Sequence, residues 1–120
     1  MKYIMFIKHT EDYRNKTVPP ALYAAMGEFV GAAMKSGVMV DGAGLQPTSA
    51  GTRVQLKKGK ITMVDGPFTE SKEIIGGYAL VEVASRDEAM ELARQFMELH
   101  RLHWKGFEGE CELRPLEVQG

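Results

Sequence analysis

Residues 65–73 hold the densest group of reactive side chains in the sequence, and Asp65 is the first of them. The segment reads Asp-Gly-Pro-Phe-Thr-Glu-Ser-Lys-Glu and follows an alternating stretch typical of a strand. A carboxylate held at a strand end, partly screened by Phe68, is a candidate general acid or base. The structural alternative is that Asp-Gly simply forms a turn, in which the carboxylate accepts hydrogen bonds from neighbouring backbone N–H groups.

Other side chains near this segment are candidates for binding a substrate. They are Phe68, Glu70, Lys72 and Tyr78. Lys72 would stabilise negative charge on an enolate or a carboxylate, whereas the alternative is a solvated turn with a weak surface ion pair. His9 is the candidate second proton carrier, because it follows the first predicted strand and its imidazole can exchange a proton near neutral pH. A solvated loop histidine is the alternative for His9.

The remaining patterns do not predict a metal or cofactor site. His100 and His103 are three residues apart, but two ligands do not make a zinc site, and the nearby Trp104 and Phe107 favour packing or a dimer contact. Cys111 lies in a predicted strand without an evident base, so we do not expect it to act as a nucleophile. The sequence contains neither the P-loop pattern G-x-x-x-x-G-K-[ST] nor the dinucleotide-binding pattern G-x-G-x-x-G after a strand. We therefore predict no metal and no cofactor.

The predicted elements place these residues on a mixed α+β fold. Apolar runs and alternation predict strands at 2–8, 38–45, 53–57, 60–63, 77–84 and 111–118. A helix is expected from Pro20 to Gly37, and a second after the S-x-x-E capping box of Ser85 and Glu88. We expect a helical turn around 71–75 and an irregular connection over 100–109. Without its hairpin, the order is the βαββαβ pattern of ferredoxin-like folds with an antiparallel sheet.

Two helices can cover only one face of such a sheet, while the central strands are apolar on both faces. The sequence therefore predicts a homodimer. Chain length predicts a single domain over 1–120. Fifteen basic and sixteen acidic residues give a net charge of −1, which excludes the basic excess of a nucleic-acid binder. No apolar run has the ~20 residues of a membrane helix. The single cysteine and the short N-terminal apolar run favour the cytoplasm.

The segment DGPFTESKEIIGGYALVEV resembles the signature of the YCII-related, or DGPF, family. The segments 36–38 and 42–47, the hairpin before Asp65 and the stretch 110–116 are also similar to that family. The resemblance implies a ferredoxin-like fold, a dimeric α/β barrel and a small pocket in each subunit. It implies no settled reaction: one relative acts on a chlorinated lactone, and some are encoded beside alternative sigma factors.

One departure from the family concerns its histidine. Shorter members have a histidine at the start of the first helix, proposed to pair with an aspartate, where this sequence reads Pro-Pro-Ala-Leu-Tyr over 19–23. His9 would have to substitute for it.

Two hypotheses follow. The first is a cofactor-free enzyme of isomerase, lactone or dehydrohalogenation type, with Asp65 buried in a pocket near a second proton carrier. The second is a non-catalytic ligand-binding or regulatory dimer, for which the family resemblance implies a link to sigma-factor signalling, with Asp65 bonded within its loop and apolar surface exposed elsewhere.

Overall fold

The computed structural model describes residues 1–14, 16–68 and 72–117. The helices are α1 (Glu11–Arg14), α2 (Pro20–Ser36) and α3 (Arg86–His103), with a 3₁₀ turn at Thr48–Ala50. The strands are β1 (Lys2–His9), β2 (Met39–Gly44), β3 (Thr52–Lys57), β4 (Lys60–Asp65), β5 (Ile74–Glu82) and β6 (Glu110–Pro115).

Four of the strands form one antiparallel sheet in the order β2-β5-β1-β6. The two central strands pair with Ile4 opposite Leu80, and β6 pairs with β1 so that Glu112 lies opposite Phe6. This order, with the long helix α2 after β1 and α3 before β6, is the ferredoxin-like topology. The predicted α+β class and antiparallel sheet are confirmed.

The core lies between this sheet and α3. Side chains alternate across a strand, and Tyr3 and Met5 of β1 are buried together with Val81 of β5. Ala89 and Ala93 of α3 complete this cluster, because small side chains allow the helix backbone to lie close to the sheet.

Local signals fix the helix ends as expected. Gly37 ends α2 in the left-handed conformation, with φ of 84°, and its N–H donates to the carbonyl of Met34. The Ser85 hydroxyl accepts a hydrogen bond from the N–H of Glu88 over 3.2 Å, which confirms the N-cap.

Two local predictions are wrong. Helix α3 continues through residues 100–103, which were expected to be irregular. It continues because His100 extends the buried face of Ala93 by two further turns. The helical turn expected at 71–75 is also absent over its described part: Ile74 and Ile75 belong to β5 and pair with β1, while Ser71 lies outside the described residues.

Strands β3 and β4 form a separate two-stranded sheet. Lys58 and Gly59 make its turn with φ of 50° and 78°, as a tight hairpin requires. Val54 pairs with Met63 and Leu56 with Ile61, so these four side chains lie on one side of the hairpin. They are 64–74% exposed, and we call them the hairpin apolar face: Val54, Leu56, Ile61 and Met63.

The molecule is flat. Its extents are 45 × 43 × 20 Å and its radius of gyration is 16.1 Å, compared with about 14 Å for a typical domain of this length. The short dimension corresponds to one sheet and one layer of helices, so none of the described helices covers the second face of the sheet.

Candidate ligand-binding site

A cavity of about 580 Å³ lies between α2 and the sheet. Most of its lining is aliphatic or aromatic, with Leu22 and Phe29 from α2 and Met5 and Val81 from the sheet. Its described lining residues include no Asp, Glu, Lys or Arg. The site is therefore apolar and has no formal charge on its walls.

Small residues on both walls create this space. Gly27 and Ala33 line it from α2, while Gly42, Gly77 and Ala79 line it from β2 and β5. Large side chains at these positions would fill the volume between helix and sheet. Instead, Leu22 is the one buried residue of α2. The helix therefore covers a cavity and does not pack tightly against the sheet.

One end of the cavity is formed by a histidine and aromatic cluster. Its members are His9, Tyr13, Phe96, His100, Trp104 and Phe107. Phe107 lies between the two histidines, with ring centroids 6.3 Å from His9 and 4.9 Å from His100. Edge-on and tilted contacts of this kind fix the orientation of the rings.

His9 is 8% exposed, and its orientation is set by two backbone groups. Its Nδ1 is 2.8 Å from the carbonyl oxygen of Thr10. A ring nitrogen facing a carbonyl must carry the proton and donate it, so in the neutral ring Nε2 is an acceptor. Nε2 lies directly over Gly76, where an added Cβ would be 2.0 Å away.

Gly76 occupies a β-bulge. Ile7 pairs with Gly77 and Lys8 pairs with Ile75, which leaves Gly76 without an opposite residue. The absence of a side chain at Gly76 leaves room for the His9 ring.

His100 is 6% exposed and has the same arrangement. Its Nδ1 is 3.0 Å from the carbonyl oxygen of Phe96, one turn earlier in α3. Burial lowers the pKa of His100, the bond to the Phe96 carbonyl partly opposes this, and a charge on His9 would lower the pKa further. His100 is therefore neutral at pH 7, with Nε2 as an acceptor.

No hydrogen-bond donor reaches Nε2 of either histidine from the parts of the chain that the structure describes. Nε2 of His9 faces Gly76 too closely for a third group to enter between them, so Nε2 of His100 is the buried acceptor that the cavity offers. Buried polar groups without partners are rare and indicate a ligand, a water molecule or strain.

Tyr78 also lines the cavity, but its hydroxyl is engaged elsewhere. It donates to a carboxylate oxygen of Asp41 over 3.0 Å, and this bond raises the pKa of Tyr78. Of the predicted site residues, the structure brings His9 and Tyr78 to the same cavity.

Asp65 and Phe68 lie at the base of the hairpin, outside the cavity lining. Asp65 is exposed at the end of β4 and accepts a hydrogen bond from the Thr52 hydroxyl over 2.9 Å. The Phe68 ring lies 3.9 Å below the Arg53 guanidinium. Lys72 is exposed, and Glu70 lies outside the described residues. The roles assigned to these four residues stay predictions.

His100 is the site residue that the sequence interpretation missed. It lies four residues after Phe96 and seven after Ala93, so the helical period continues beyond Leu99. Extending that period would have placed His100 on the buried face.

Cys111 has its pKa raised by burial to about 11, so its thiol is protonated at neutral pH.

Within the described ranges, no three His, Cys, Asp or Glu side chains are grouped as a metal site would require. No described helix is long and apolar enough to cross a membrane.

The fold and the cavity define a ferredoxin-like α+β protein with an apolar site beneath its first long helix. The profile of the YCII-related domain matches residues 1–97, and the chain belongs to that family. It is also similar to an uncharacterised protein of Rhizobium meliloti (strain 1021), with 35% identity over 74 residues. That match covers 62% of this chain and 56% of the relative, so the chain spans about half of the relative's length.

Proposed function

We propose that this protein binds a small, largely apolar molecule in the cavity between α2 and the sheet. The cavity itself carries the proposal, since about 580 Å³ is within the ~300–1,000 Å³ of small-molecule sites. Lining residues such as Tyr23 and Gly44 are exposed, so the cavity opens to solvent and a ligand can enter it.

Filling the cavity from α2 tests this proposal. Ala33 lines the cavity, whereas its neighbour Ala32 is exposed and does not. We expect the wild type and Ala32→Trp to bind 2-methylnaphthalene in a fluorescence titration, and Ala33→Trp to bind it at least tenfold more weakly. Circular dichroism checks that both variants fold. Absence of binding by the wild type, or equal binding by both variants, would contradict the proposal.

The second candidate function is cofactor-free acid/base chemistry in the same cavity. The observation that favours it is the buried His100 ring, which lines the cavity and whose Nε2 has no described protein donor and can take a proton from a substrate carbon. Isomerisation and dehydrohalogenation each begin with such a transfer, and so does lactone chemistry that proceeds through an enolate. We assign the base to His100 because Nε2 of His9 faces Gly76, while Asp65 is exposed and is bonded to Thr52.

Proton exchange on an uncharged ketone tests this assignment. We expect the wild type and Asp65→Asn to accelerate deuterium exchange at the α-carbons of 2-tetralone, measured by NMR, and His100→Phe to lose the acceleration. Loss in Asp65→Asn with retention in His100→Phe would instead support Asp65 as the base. No acceleration by the wild type would favour the non-catalytic ligand-binding alternative.

We further propose that the protein is a cytoplasmic homodimer in which a second copy covers the hairpin apolar face. A two-stranded hairpin is marginally stable in water without further strands or packing. Four side chains that are 64–74% exposed form an apolar surface on the order of 500 Å², close to the largest patches of typical monomers. The flat sheet, with Ile4, Phe6 and Leu80 on the face opposite the helices, supports the same arrangement.

A charge on the hairpin apolar face tests the dimer. Ile61 is on this face, while Thr62 is exposed on the other side of β4. In sedimentation velocity at micromolar concentration, we expect the wild type and Thr62→Lys to be dimers and Ile61→Lys to be a monomer. A monomeric wild type, or a dimeric Ile61→Lys variant, would contradict this interface.

A further inference from the structure

The two buried histidines determine which hydrogen bonds the cavity offers to a ligand. His9 and His100 are more than nine-tenths buried and line the cavity. Each uses Nδ1–H to donate to a backbone carbonyl, of Thr10 and Phe96 respectively. The nitrogen that remains on each neutral ring is an acceptor, and no described residue donates to it. Such a site favours a ligand that brings its own donor.

The hydroxyls of Tyr13 and Tyr78, two of the tyrosines in the lining, do not provide a competing proton. Tyr13 donates to the carbonyl of Gly106 over 3.2 Å and accepts from the N–H of Glu108. The Tyr78 hydroxyl proton is directed to Asp41. Both hydroxyl protons are therefore committed within the protein.

The lining also disfavours a charged ligand. None of its described residues is Asp, Glu, Lys or Arg. A carboxylate or phosphate moved into an apolar site without a counter-charge loses its hydration and gains no ion pair. A negatively charged group would also face the acceptor lone pair of His100.

We propose that the cavity selects uncharged ligands that combine an apolar body with a hydroxyl group, such as a phenol or an alcohol, and that Nε2 of His100 accepts a hydrogen bond from that hydroxyl, since Nε2 of His9 faces Gly76. This inference rests on the proposed function, because it needs the cavity to be a binding site. It adds the chemical class of the ligand and assigns a binding role to His100.

Three ligands of similar shape test the inference at pH 7: 2-naphthol, 2-methylnaphthalene and 2-naphthoate. They differ in whether the substituent donates a hydrogen bond, is apolar or is charged. With the wild type, we expect 2-naphthol to have a Kd at least tenfold lower than either of the others. In the double variant with His9→Phe and His100→Phe, we expect the Kd ratio of 2-methylnaphthalene to 2-naphthol to fall to about one.

The outcomes separate this inference from the proposed function. Equal affinity of the wild type for 2-naphthol and 2-methylnaphthalene, or tightest binding of 2-naphthoate, would overturn the ligand class while leaving the cavity as a binding site. Binding of none of the three would overturn the proposed function itself. The comparison of the three Kd values on the wild type tests the ligand class even where the double variant fails to fold.

Discussion

Replacing Gly76 with alanine is expected to displace the His9 ring from the cavity wall. The new Cβ would be 2.0 Å from Nε2 and 2.8–2.9 Å from two ring carbons. Because the ring must move by more than 1 Å to reach ordinary contact distance, overpacking should cost ~1–3 kcal/mol. Loss of the bond from His9 Nδ1 to Thr10 adds ~1 kcal/mol. The free energy of unfolding should therefore fall by about 2–4 kcal/mol.

Urea unfolding and 2-naphthol titration measure both consequences. Gly31→Ala is the matched control, since Gly31 is exposed in α2 and an added Cβ there meets nothing within 4 Å. Alanine is the better helix former, so the control should gain ~0.5–1 kcal/mol. A Gly76→Ala variant with wild-type stability and wild-type ligand affinity would refute the role given to Gly76 and His9.

Three further predictions concern residues outside the bulge. Because burial lowers the pKa of His100 below 6.5, the unfolded chain binds the extra proton first as the pH falls. The free energy of unfolding should therefore decrease between pH 7 and 5, with a smaller decrease in His100→Phe. Since burial raises the pKa of Cys111 from 9.0 to about 11, its alkylation by iodoacetamide at pH 8 should be roughly 100-fold slower in the folded protein than in urea. Ser85→Ala should lose about 1 kcal/mol in urea unfolding, whereas the exposed Ser49→Ala should change stability by less than ~0.5 kcal/mol.

Each of these has an outcome that would contradict it. A free energy of unfolding that rises from pH 7 to 5 would contradict the burial of a neutral His100. Equal alkylation rates in buffer and in urea would show that Cys111 is accessible as a thiolate. Equal losses for Ser85→Ala and Ser49→Ala would mean that the N-cap does not stabilise α3.

The fold could be predicted from the sequence because its signals are local. Gly37 and Ser85 mark helix ends through backbone conformation and hydrogen bonding, which depend on a few neighbouring residues. Lys58-Gly59 specifies the hairpin turn in the same way. The sheet order follows once these elements are in place, because two βαβ units in succession have few ways to pair.

The candidate site could not be predicted in the same way. The apolar face of α2 has the spacing of a core helix, and that spacing does not reveal whether the helix packs closely or leaves a cavity. The volume depends on Gly42, Gly77 and Ala79 facing α2, which is a matter of tertiary placement. The sequence favours Asp65 as a site residue because its loop is rich in charge. His100 follows a long apolar stripe, and its aromatic neighbours favour packing there.

The most direct test of ligand binding at the histidine cluster is a long-range ¹H–¹⁵N spectrum of the imidazole rings during titration with 2-naphthol. The protein has three histidines, and His103 is outside the cavity lining, so it serves as an internal control. We expect the Nε2 resonance of His100 to move with the titration while that of His103 stays fixed. Movement of His103 alone, or no movement of any imidazole nitrogen at saturating 2-naphthol, would contradict a ligand site beneath α2.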